Sequence, residues 1–157
     1  MRILIDGDAC PHVKIVEDIS EHFKVQCIVV YNMANDLKLT YAEPVLVPAR
    51  PGSADDEIVR ITIQGDIVIT EDKELIARCL DKGAIVMHPD GYTYPRYVWL
   101  SLGDIKYIGF FKDPKNTFSE SLMELNTDSS PLLHRKRVFA SRLILYLTYL
   151  QEQQKTL

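Results

Sequence analysis

The chain has 157 residues, of which 46% are hydrophobic and 25% charged, and a formal net charge of −4. That length suits one domain with a sizeable core, and the composition is that of a globular protein. No apolar run approaches the roughly 20 residues of a membrane span, the N-terminus lacks a signal-peptide layout, and a protein basic all over is excluded, so a cytoplasmic protein without a membrane partner is expected.

Met1–Asp6 reads as the first strand, because Ile3-Leu4-Ile5 is a continuous apolar run of the kind found in strands covered on both faces. Pro11 suits the first turn of a helix, and Val13, Ile15, Val16, Ile19 and Phe23 supply its apolar stripe. Lys24–Tyr31 is a second strand rich in β-branched residues, 32–41 a polar loop with helical character, and Val45-Leu46-Val47 a short third strand. The turn Arg50-Pro51-Gly52-Ser53 leads into a helix from Ala54 to about Gln64-Gly65, with Ser53 as its N-cap. Asp66–Thr70 is a fourth strand, and Thr70 reads as the cap of a helix from Glu71 to about Lys82, stopped by Gly83. Ala84–Met87 is a fifth strand. Strand and helix alternate, so the expected fold is α/β, a mostly parallel central sheet with helices on both faces.

Beyond His88 the pattern thins. The segment 92–102 has the aromatic content of a packed helix, 103–111 reads as a strand or exposed apolar segment, and 112–131 as a mobile polar loop. A C-terminal helix over 133–153 carries a dense apolar face of Val138, Phe139, Ile144, Leu145, Leu147 and Leu150, which leaves room for a homo-oligomer. The whole chain, 1–157, is expected to form a single domain.

Three acid clusters stand beside strand ends or helix starts: Asp6 with Asp8, Asp55 with Asp56, and Asp72 with Glu74. Asp6 and Asp8, two positions apart, would point the same way if the strand continued through Gly7. The structural alternatives are complete for each cluster taken alone, since Asp8 can be an N-cap and acids in a first helical turn are favoured by the dipole. Parallel topology, however, brings the C-terminal ends of the strands to one rim, where open α/β sheets place their ligands. Several carboxylates at one rim repel each other unless a cation compensates, and Mg²⁺ or Mn²⁺ takes oxygen ligands while keeping several waters. Cys10, Cys27 and Cys79 form no disulfide framework and no zinc spacing; Cys10 at a helix start is read as packing rather than as a reactive thiol. Asp-x-Asp also opens haloacid-dehalogenase-type phosphatases, but the acidic pair here precedes the lysine, which is the wrong order.

The segments Pro51-Gly52-Ser53-Ala54-Asp55-Asp56-Glu57-Ile58 and Asp66-Ile67-Val68-Ile69-Thr70-Glu71-Asp72 resemble the acidic motifs of the PIN-like, five-prime nuclease superfamily. More closely, Asp6-Gly7-Asp8-Ala9-Cys10-Pro11, Ala54-Asp55-Asp56 and Gly65–Asp72 resemble the uncharacterised bacterial YaiI/YqxD family over about the first 90 residues, and Arg135–Leu147 resembles that family's C-terminal stretch. The resemblance implies a PIN-like three-layer fold, with Asp6, Asp55, Asp56 and Asp72 as metal ligands and catalytic groups and Asp8 and Glu74 as further acids. Ser53 stands where the five-prime nucleases carry a glutamate, which leaves one ligand fewer.

A basic run, His134-Arg135-Lys136-Arg137 with Arg142 beyond it, is the candidate for phosphate contact, because cations near a helix start are not explained by the dipole. Arg50, Lys73 and Arg78 are candidates for the rim. Tyr92, Tyr94 and Tyr97 are read as packing residues before base-stacking ones, and His12 and His88 as structural. The function expected is a Mg²⁺- or Mn²⁺-dependent nuclease that hydrolyses phosphodiester bonds, with RNA favoured over DNA. The alternatives are a non-catalytic RNA-binding module with a degenerate metal site, and a small-molecule phosphohydrolase.

Overall fold

Successive side chains of the first strand, β1 (Ile3–Asp6), go to opposite faces of one sheet, and each face has its own core. The computed structural model describes residues 1–94 and 131–155. Within them β1 is followed by α1 (Val13–Phe23), β2 (Cys27–Asn32), β3 (Glu43–Val47), α2 (Ser53–Ile61), β4 (Ile67–Ile69), α3 (Lys73–Asp81), β5 (Ile85–Met87), β6 (Thr93–Tyr94) and α4 (Pro131–Lys155). The strand order is β3-β2-β1-β4-β5-β6. All neighbours are parallel except β5 and β6, which are antiparallel.

Ile3, Ile5, Cys27, Val29, Ile67 and Ile69 face Val16 and Ile19 of α1 and Phe139, Leu143, Ile144 and Leu147 of α4. Leu4, Ile28, Val30, Val68 and Val86 face Ala54 and Ile58 of α2 and Leu75, Ile76 and Cys79 of α3. The result is the expected three-layer α/β arrangement. Fully burying each of these aliphatic side chains contributes about 1.5–3 kcal/mol, which explains why strands as short as β4 hold their place.

The parity of β1 sets up the site. Leu4 goes to the α2/α3 face, and so does the next side chain of the same parity, Asp6, which is 3% exposed. Gly7 shares the parity of Ile3 and Ile5. A Cβ there would lie 2.8 Å from Val29 Cγ1 and 2.9 Å from Tyr31 Cβ, so only glycine lets the chain turn so close to β2.

Several boundaries differ from expectation. β1 stops at Asp6, and Gly7-Asp8 is a turn rather than a continued strand. The N-cap of α2 is Gly52, at φ 77°, because the Ser53 hydroxyl donates to the Pro48 carbonyl (2.5 Å) instead of capping. That helix ends at Ile61, not near residue 64. The cap of α3 is Asp72, since the Thr70 hydroxyl is engaged with Asp6. Thr93–Tyr94 is a strand edge rather than the start of a helix. The expectations for 95–130, including the loop from 112 and Tyr97, lie outside the described residues. No helix among the described residues is long and apolar enough to cross a membrane. All three cysteines are buried free thiols, and burial pushes Cys10 and Cys27 up to about 12 and Cys79 to about 11, so Cys10 packs rather than reacts.

Candidate metal and phosphate site

The chain order leaves β1 and β4 as neighbours whose connections run to opposite sides of the sheet, and a crevice opens at the C-terminal ends of such a pair. Here it is a pocket of about 200 Å³. Asp6 enters it from the end of β1, Asp8 from the following turn, Asp55 from the first turn of α2, and Asp72 from the start of α3. Asn32, Arg50 and Ser53 complete the wall.

Each acid is held by a different device. The Thr70 hydroxyl donates to Asp6 Oδ2 (3.0 Å) and accepts from the Asp72 backbone N–H (3.1 Å), which ties the end of β1 to the β4–α3 turn. Asp72 Oδ1 accepts from the N–H groups of Glu74 (2.9 Å) and Leu75 (3.2 Å), an N-cap that fixes the carboxylate at the rim. Asp8 accepts from the Asn32 N–H (3.0 Å to Oδ2) and from the Asn35 side-chain amide. Among the described residues Asp55 has no such anchor, and it lines the pocket with Asp6 and Asp72, whose charges bear on it.

The electrostatics follow from this crowding. Burial raises the pKa of Asp6; the Thr70 hydrogen bond opposes the rise, and the charges of Asp8 and Asp72 add to it. Burial, then the charges of Asp6 and Asp72, push Asp55 up to about 6, with Arg78 opposing. Negative charge is therefore held together here against its own repulsion. Among the described residues no three His, Cys, Asp or Glu side chains form a ready-made ligand group: the acids line one pocket without meeting at one point. The donor set is nevertheless all oxygen, with room for water. It fits a hydrated Mg²⁺ or Mn²⁺ ion, which needs only one or two direct carboxylates, and among the described residues no thiol or imidazole lines the pocket to favour zinc.

The other predicted residues go elsewhere. Asp56 turns out of the pocket, its side chain 73% exposed, and pairs with Arg78 at 3.1 Å. Glu74 is exposed and does not line the pocket. Arg135 pairs with Asp90, its Nε donating to Oδ1 at 2.9 Å, and it also feels the charge of Glu71 near the rim. Arg142 donates to the Gly91 carbonyl (3.0 Å). These two arginines fasten α4 to the β5–β6 turn, and neither they nor Lys136 nor Arg137 lines the pocket. Tyr94 packs against the α2/α3 core, while Tyr92 is exposed beside His88. His12 is buried, with Nε2 3.1 Å from the Pro89 carbonyl, and packs against Phe139. Sequence reasoning missed the Thr70 link; the signal was a hydroxyl one residue beyond an all-apolar strand that pairs with an acid-ended one.

A family model described as "Uncharacterized BCR, YaiI/YqxD family" matches residues 4–98. A UPF0178 protein of Natranaerobius thermophilus is 38% identical over 94 residues, 60% of this chain and 64% of that protein. One from Clostridium kluyveri is 39% identical over 94 residues, 60% and 62% of the two chains. The matched part of the chain thus spans less than two thirds of these relatives. One from Shewanella sediminis is 30% identical over 151 residues, 94% of this chain and 97% of that protein. Among solved structures, a mutant of Rae1 (YacP) from Bacillus subtilis aligns with a TM-score of 0.46 at 13% identity, covering 92% of this chain and 98% of that one. That likeness is too slight to carry a functional inference.

Proposed function

This chain belongs to the YaiI/YqxD family, and we propose that it is a divalent-metal-dependent phosphodiesterase acting on nucleic acid, RNA in preference to DNA. The observation that carries the reading is the gathering of Asp6, Asp8, Asp55 and Asp72, from three separate strand and helix junctions, around one pocket at the sheet's switch point. A fold that needed these acids only as caps would have no reason to bury Asp55 beside Asp6 and Asp72, where desolvation first and then their charges push it up to about 6.

Asp6, Asp55 and Asp72 would hold Mg²⁺ or Mn²⁺, with Asp8 as a further acid of the same pocket. Such an ion, when bound, neutralises phosphate charge and acidifies a bound water. The chain's own part is positioning. Thr70 aims Asp6, the α3 N-terminus aims Asp72, and the first turn of α2 brings a partial positive charge to the same wall. The pocket's volume, about 200 Å³, is below the roughly 300–1,000 Å³ of most small-molecule sites. A pocket of that size would take a phosphate with its ion and leave the flanking groups outside, which favours a polymer over a small phosphomonoester.

The test is cleavage of a labelled single-stranded RNA with Mn²⁺, compared with Asp6→Asn and Asp72→Asn. The expected loss is about 100-fold or more for either variant, with circular dichroism unchanged. Full activity in both would remove the catalytic assignment. The non-catalytic alternative draws on Ser53 in place of a glutamate and on acids that do not meet at one point. It is favoured if the wild-type chain binds RNA equally with Mn²⁺ or EDTA and yields no product.

A further inference from the structure

We propose that Arg50 is the phosphate-binding residue of this pocket, placed to take the non-bridging oxygens of the bound phosphate opposite the acids. The inference rests on the reading above that the pocket receives a phosphodiester. Arg50 lines the same pocket as Asp6, Asp8, Asp55 and Asp72, yet among the described residues it makes no side-chain hydrogen bond or ion pair. That is unusual beside four carboxylates. Elsewhere in the molecule arginines close to acids do pair: Arg2 with Asp66, Arg60 with Glu57, Arg78 with Asp56 and Arg135 with Asp90.

The backbone around Arg50 fixes where its side chain starts. Its N–H donates to the Pro48 carbonyl (2.8 Å), and its carbonyl accepts from the Ser53 N–H (3.2 Å). The Ser53 hydroxyl bonds the Pro48 carbonyl as well (2.5 Å). Pro51 restricts the same turn, and Gly52 takes the positive φ that turns the chain into α2. These bonds fix the Arg50 main chain on the β3–α2 turn, at the wall of the pocket that also carries Asp55. A guanidinium kept apart from carboxylates in one pocket keeps its donors for an incoming anion, and a planar fork matches two phosphate oxygens at once. With both ligands bound, the acids would hold the cation and Arg50 would take the anion. The basic residues of α4 have no such place: Arg135 and Arg142 are committed to the β5–β6 turn.

Three measurements on the full chain decide it. Inorganic phosphate is titrated into wild type, Arg50→Ala and Arg50→Lys by calorimetry, each with 10 mM Mg²⁺ (an amount of about this order suffices for a weak carboxylate site), and Mn²⁺ binding is measured in parallel. Arg50→Ala is expected to weaken phosphate binding by about 10-fold or more, with Arg50→Lys intermediate because it keeps the charge and loses the fork. Mn²⁺ affinity should stay within about 2-fold, since Arg50 holds no metal. In the RNA cleavage assay the same loss should appear, and added methylguanidine should restore part of it for Arg50→Ala only. Phosphate binding that is absent in wild type, or equal in wild type and Arg50→Ala, overturns the proposal. So does an Arg50→Ala variant whose main change is tighter Mn²⁺, because Arg50 is then merely a counter-ion to the acids. If wild type cleaves nothing while phosphate binding depends on Arg50, the anion site stands and the nuclease reading falls; if Asp72→Asn abolishes cleavage and Arg50→Ala does not, the reverse holds.

Discussion

Two equally buried aspartates stand at opposite ends of the neighbouring strands β1 and β4, and they are treated in opposite ways. Asp66, 1% exposed, precedes β4 at the sheet's N-terminal end. It receives the Arg2 guanidinium (2.7 Å to Oδ2), the Arg2 backbone N–H (3.2 Å) and the Ile63 N–H (3.0 Å), and Arg2 also donates to the Ile61 carbonyl. Asp6, 3% exposed, ends β1 at the other side and meets a hydroxyl and more acids. Burial is the same, so the difference lies in the partners. At one end charge is compensated within the chain, and the group serves stability. At the other the compensation is left to something from outside, and a pocket is open to receive it. Glu17 resembles Asp66: it is buried, with Oε2 accepting from the N–H groups of Thr40, Tyr41 and Ala42 at 2.7–2.8 Å, which pins the loop before β3 onto α1.

The contrast is open to direct attack, beginning with the strongest effect. Asp66→Ala strands the partly buried Arg2 charge and frees the Ile63 N–H, so it should lower unfolding stability by on the order of 3 kcal/mol. Urea melts at constant m-value measure this, and a loss below about 1 kcal/mol would remove the distinction between the two ends. Gly7→Ala, which forces a Cβ to within 2.8 Å of Val29 Cγ1, should cost about 1–3 kcal/mol by overpacking and shift the Asp6 turn with it.

The pH dependence has a definite sign. Asp55 in the folded chain titrates near 6, above its ordinary 3.8, so the folded state binds more protons between those values. This site's contribution to stability is therefore greatest below about pH 4 and declines as pH rises through 6. Without divalent ions, Asp55→Asn should raise stability at pH 7 by on the order of 1 kcal/mol, discounted because the group is only partly buried and solvent screens it. Mg²⁺ should raise the melting temperature of the wild type at pH 7.5 more than at pH 5, by differential scanning calorimetry. A flat response at both pH values would mean that the acids are not a cation site. The smallest effect belongs to Asp56→Ala, which breaks an exposed pair with Arg78; it should change stability by less than about 1 kcal/mol and leave Mn²⁺ binding as it was.

Much of the layout was legible in the residue order. Continuous apolar triplets such as Ile3-Leu4-Ile5 and Ile67-Val68-Ile69 announce strands covered on both faces, and alternation with amphipathic helices implies the parallel sheet. Details that depend on a competing partner were not legible. Thr70 and Asp72 are both good caps in isolation, and the choice was made by Asp6, which lies 64 residues away in sequence and takes the Thr70 hydroxyl. Asp55 and Asp56 are adjacent, and on a helix adjacent side chains diverge by about 100°. Only one can face the rim, and the orientation of α2 on the sheet selects Asp55. The arginines of α4 looked like a free basic face because their partners, Asp90 and the Gly91 carbonyl, sit in a turn about 45–50 residues earlier.

Local chemistry was enough to determine the elements, the two-sided burial of the strands and the set of acids available at their ends, because backbone propensity and hydrophobic period act over a few residues. Which acids share a pocket, which arginine stands beside them without a partner among the described residues and which buried charge is compensated were decided only by the packed sheet. Coulomb and hydrogen-bond energies depend on distances of a few ångströms, and chain order alone does not specify such distances between residues far apart in sequence.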